Sequence, residues 1–89
     1  MPHTAPLSLS ELPLDTPARI VEIRGGHHLT RRLLALGLRQ GSALSVVQRR
    51  GQGLVLATGS GRIAMGFGVA EKLRVRLEPE VGTTDDGRD

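Results

Sequence analysis

The chain has 89 residues, a net charge of +3, no cysteine and one aromatic residue, Phe67. A chain of this length folds as one small domain that buries about 60% of its unfolded-state surface, enough for a modest core and too little for a deep catalytic cleft. Without cysteine there are no disulfides and no thiolate metal sites, and with a single aromatic ring an RNA-stacking surface is nearly excluded.

Residues 1–8 read as a flexible start, because Pro2, Thr4, Pro6 and Ser8 carry neither period nor charge pattern. The segment MPHTAPLSLSE has no basic and apolar blocks of the kind a secretion signal needs, and no apolar run approaches the roughly 18 residues that span a bilayer. A soluble, cytoplasmic protein without membrane insertion of its own is therefore expected. Leu9 and Leu12 bracket a short turn, and Pro13 and Pro17 prevent a long helix there. Arg19–Ile23 is rich in β-branched residues and predicts the first strand, with an alternation imperfect enough to call for a bulge or burial on both faces.

Gly25 and Gly26 release the chain into a helix that should begin near His28 or Leu29. Leu29, Leu33 and Leu36 recur at i, i+4 and i+7 and Leu34 widens that apolar stripe, while Arg31, Arg32 and Ala35 fall on other faces. Gly37 supplies the positive φ that ends the helix, and Leu38 is placed to fold back as the hydrophobic half of a Schellman motif. After a turn at Gly41 the period becomes two: Ala43–Arg49, with Leu44, Val46 and Gln48 on one side, is the second strand.

Leu54–Thr58 and Arg62–Phe67 are the next strands, separated by glycine pairs (Gly51 and Gly53, then Gly59 and Gly61) at the spacing of antiparallel hairpins. Ile63, Met65 and Phe67 share one parity and are assigned to the core. Phe67–Glu71 predicts one helical turn, after which Leu73, Val75 and Leu77 alternate with Arg74 and Arg76 in a last strand. The tail GTTDDGRD sets Asp85, Asp86 and Asp89 against Arg88, so that the body carries +5 and residues 79–89 read as a flexible acidic tail. The expected fold is mainly β with a short helix: a small, partly open barrel of about five strands over residues 9–78, with one inserted amphipathic helix.

Few residues point to chemistry. GQG and TGSG resemble phosphate-cradling loops, but those loops join a strand to a substantial helix, whereas these join two strands. No serine stands in a G-x-S-x-G pattern with a histidine partner, so no catalysis is expected. His27 and His28 are adjacent and diverge on a helix, short of the i, i+4 geometry that chelation prefers. Beside Glu22 they are the residues a surface divalent cation would find, adventitiously or between subunits, and no dedicated cofactor is expected. The arginines are scattered along the chain, which argues against a specific nucleic-acid site. Arg31, Arg32, Ala35, Leu36 and Arg39 form the candidate partner-docking face, with Leu36 partly shared with the core. Exposed sheet edges leave a homo-oligomer open.

The runs LSELPLDTPARIVEIRGG, RRLLALGLRQGSALSVVQR and GLVLATGSGRIAMGFGVAEKLRV together resemble the FeoA family of small cytoplasmic proteins of ferrous iron uptake, from Leu9 to about Leu77. The most specific part is the arginine, leucine-rich helix and glycine at Arg32–Leu38, followed by the turn at Gly41. The resemblance implies an SH3-like barrel that works with the membrane GTPase transporter FeoB, docking on its cytoplasmic part as an accessory or regulatory protein, and so lying peripherally at the inner membrane. A cytoplasmic SH3-like adaptor with a soluble partner, or a weak nucleic-acid-associated barrel, are the alternative readings.

Overall fold

The structure, a computed structural model, describes residues 6–78. The β-branched and alternating segments become six antiparallel strands: β1 (Leu7–Ser8), β2 (Ala18–Ile23), β3 (Ala43–Arg50), β4 (Gly53–Thr58), β5 (Gly61–Gly66) and β6 (Leu73–Leu77), in the sheet order β1-β6-β2-β3-β4-β5. Six strands replace the five expected. The addition is β1, whose Leu7 and Ser8 pair with Val75 and Arg74 of β6; order thus begins before Leu9, and two residues are too few to display a period. The remainder of the flexible segments inferred above, residues 1–5 and 79–89, lies outside the described residues.

Both expected hairpins form. β3 pairs with β4 from Leu44 to Arg50 and β4 with β5 over their full lengths, with Gly51 at φ 52° and Gly61 at φ 134° in the two turns. Two bulges account for the broken alternation. On β2 the register against β6 shifts between Ile20 and Glu22. On β3 it shifts between Val46 and Gln48, so that Gln48 is exposed and does not share the buried face of Leu44 and Val46. An extra residue in one strand rotates the side chains that follow it to the other face.

The helix α1 (Gly26–Ala35) starts two residues earlier than the leucine pattern indicates, at Gly26 with φ 78°. It ends as expected. The Gly37 amide donates to the Leu34 carbonyl at 2.9 Å and the Leu38 amide to the Leu33 carbonyl at 2.8 Å, with Gly37 at φ 87° and Leu38 fully buried. These two bonds and the apolar contact constitute a Schellman motif. The single turn α2 (Phe67–Ala70) links β5 to β6.

α1 is inserted where the sheet splits. β2 and β3 pair only at Ala18–Leu44 and Arg19–Ala43, after which the loop following α1 fills the gap. There the Gly41 amide donates to the Ile20 carbonyl (2.7 Å), the Ile20 amide to the Ser42 carbonyl (3.0 Å) and Gln40 Nε2 to the Val21 carbonyl (3.1 Å). Leu29 and Leu33 cover one end of a core built on Leu9, Leu12, Ile20, Leu38, Val46, Leu56, Leu73 and Val75. Each such aliphatic side chain contributes about 1.5–3 kcal/mol on leaving water. Met65 belongs to that core, and Ile63 and Phe67 pack against it half-buried, as their shared parity predicts.

Candidate partner-docking site

The Schellman closure fixes the direction in which α1 presents its side chains. Leu29 and Leu33 point into the core; Arg31, Arg32, Ala35 and the capping residue Leu36 are exposed, as is Arg39 in the loop. Leu36 is 47% exposed and Leu34 50% exposed. Neither therefore belongs to the core as the i+7 spacing and the widened stripe imply, because a helix resting on a small barrel contacts it along a narrow line.

The five residues of the candidate face do not form one patch. Two concavities flank α1. One is lined by Ile23, Thr30, Leu34, Arg39 and Gln40 and lies against the loop that closes the β2–β3 split. The other, of about 110 Å³, lies between α1 and the β5–α2 corner, with Leu29, Leu33 and Leu36 on one wall, Ala64, Met65, Gly66 and Val69 on the other, and Arg32 at its border. Arg32 and Leu36 thus share a groove, Arg39 belongs to the opposite flank with Leu34, and neither concavity includes Arg31 or Ala35.

Among the described residues, the arginines at this end carry charge that no nearby carboxylate offsets. Among the described residues, carboxylates within 4.0 Å of a basic group are Glu78 on Arg19 and Glu22 on Arg24; Arg31, Arg32, Arg39 and Arg62 have none. The Arg19 guanidinium also donates to the Gly41 carbonyl at 2.7 Å and Arg49 to the Leu12 carbonyl at 2.5 Å. Those arginines are occupied in holding loops, whereas the helix arginines are not.

His27 and His28 sit exposed in the first turn of α1. Among the described residues no three His, Cys, Asp or Glu side chains gather where they could hold a metal ion. No helix among them is long and apolar enough to cross a membrane. The residues that sequence reasoning did not single out are Ala64, Gly66 and Val69. They lie some thirty positions from Leu36, and no local pattern links them to it.

A small open barrel whose outer strand β5 pairs with β4 alone among the described residues, with an inserted helix carrying exposed arginines beside half-exposed leucines, has SH3-like architecture. The FeoA domain family matches residues 7–77, and the chain belongs to it. Among solved structures, a crystal structure of an iron uptake regulatory protein (FeoA) is 29% identical with a TM-score of 0.76, covering 83% of this chain and 100% of that one. FeoA from Stenotrophomonas maltophilia, complexed with zinc and described as a procaryotic SH3 domain protein, is 28% identical with a TM-score of 0.69, covering 84% and 99%. A manganese-dependent transcriptional repressor shares the fold alone, at 19% identity and a TM-score of 0.78, with 86% of this chain matching 44% of that one. No curated protein matches the chain.

Proposed function

We propose that this protein is an accessory subunit of bacterial ferrous iron uptake that docks on the cytoplasmic part of the FeoB GTPase transporter and supports its assembly or activity. The observation that carries this reading is the family match over residues 7–77, essentially the whole described chain. Relatives termed an iron uptake regulatory protein and, for the Stenotrophomonas maltophilia protein, proposed as a ferrous iron transport activating factor support it. The exposed arginines of α1, which have no carboxylate within 4.0 Å among the described residues, suit an acidic docking partner, since opposite potentials steer encounter and fix register. In this reading the protein works in the cytoplasm, peripherally at the inner membrane, and neither hydrolyses GTP nor carries Fe(II) in a dedicated site. His27 and His28 offer a surface position for a divalent cation and no more.

The test is capture of FeoB by the tagged protein, with and without guanine nucleotide and Fe(II). Retention supports the docking subunit, and nucleotide dependence locates the contact at the GTPase domain. Absence of capture under every condition favours a soluble adaptor.

A further inference from the structure

We propose that the groove between α1 and β5 takes an extended segment of the partner, added to β5 as a seventh strand, with one apolar side chain beside Leu36 and a carboxylate on Arg32. This rests on the docking reading above and names the part of the surface that carries it. β5 is an outer strand of the sheet: among the described residues its six positions pair with β4 alone. The backbone groups along its other side are a ready template for strand addition, a mode in which main-chain bonds supply affinity and adjoining pockets supply specificity.

The adjoining pocket is present. The groove's walls are aliphatic and its volume of about 110 Å³ suits a single branched side chain. Leu36 is half exposed there although an apolar side chain gains by burial. The rim is kept low by Gly66, and nothing inside the fold demands glycine at that position. Its φ of −73° and ψ of 157° suit any residue, and a Cβ would meet only the Gln52 carbonyl oxygen, at 4.0 Å. Glycine without an internal reason beside a free edge is consistent with close approach by another backbone.

Charge selects the chemistry of the occupant. Arg32 borders the groove and Arg62 stands exposed near the start of β5, and neither has a carboxylate within 4.0 Å among the described residues. An apolar residue next to an aspartate or glutamate, in an extended stretch, satisfies both the pocket and the guanidinium. The opposite flank of α1 lacks this combination, because the loop that borders it is already bonded to β2.

The experiment measures binding of the full-length protein to the purified cytoplasmic domain of FeoB. Arg32→Glu and Leu36→Lys should each weaken association about tenfold or more, while Arg31→Glu and Leu34→Lys, outside the groove, should stay within about twofold of wild type. Amide hydrogen exchange on the complex should show new protection at Ala64 of β5, whose amide faces away from β4, and little change at Ile63, whose amide is already on the β4 side; side-chain contact with the helix alone would not produce this pattern. Equal binding by all four variants, loss confined to Arg31→Glu and Leu34→Lys, or unchanged exchange along β5 overturns the groove and leaves FeoB docking standing. Failure of the wild type to bind at all removes the docking reading, and the strand-addition site falls with it.

Discussion

The two flanks of α1 begin from the same materials, an arginine and a half-exposed leucine on each side of one ten-residue helix, and they end differently. On the flank of Leu34 and Arg39 the loop is tied down: Gln40 bonds to the Val21 carbonyl, and the Arg39 amide donates to the Ser42 hydroxyl at 3.0 Å. On the flank of Arg32 and Leu36 the neighbour is an outer strand that, among the described residues, pairs on one side only. Residue type does not distinguish them. What distinguishes them is whether the backbone opposite the helix has already found its hydrogen-bond partners, since an unpaired edge invites a further strand and a bonded loop does not.

The comparison can be broken at its root by removing what orients the helix. Leu38→Ala empties a fully buried position and should cost about 2–5 kcal/mol, read by chemical denaturation, with both flanks losing definition together. Gly37→Val should cost about 1–2 kcal/mol for a β-branched residue in the left-handed region, because Gly37 lies at φ 87°. A Cβ there also comes within 3.4 Å of the Ser60 hydroxyl. An unaltered melting temperature would show that the helix stop lies elsewhere.

Gln40→Ala sharpens the contrast by loosening one flank. It should lower stability by about 0.5–1.5 kcal/mol through the lost bond to Val21, with FeoB binding unchanged if the other flank is the docking side. The smallest effect on stability is expected from reversing exposed charge: Arg31→Glu with Arg32→Glu should shift stability by about 0.5 kcal/mol or less. The same double variant should nevertheless weaken FeoB capture, and full retention would take this face out of consideration.

Much of this was legible in the residues. The stop at Gly37 with Leu38 folded beneath it, both glycine hairpins, the one-turn helix after Met65 and the final alternating strand are local consequences of φ preference and side-chain period, so a short window of sequence contains their cause. The strand β1 was not legible, because Leu7 and Ser8 are held by β6 nearly seventy positions away and have no period of their own. The exposure of Gln48 was not legible for a related reason: the bulge before it arises from pairing with β4. The candidate docking residues were legible as individuals, exposed and basic, and their distribution over two separate flanks was not.

The sequence by itself determined the class of domain, the order of its elements from β2 to β6 and the absence of thiol chemistry, because these follow from composition and from interactions between neighbours along the chain. Only the tertiary structure decided that Leu34 and Leu36 stand half exposed, that Arg32 and Leu36 share a groove with Met65 while Arg39 does not, and that β5 is an outer strand. Those facts depend on which surfaces the fold brings together across thirty or more residues. The strength of a side chain's preference for burial cannot say whether another surface will be there to bury it.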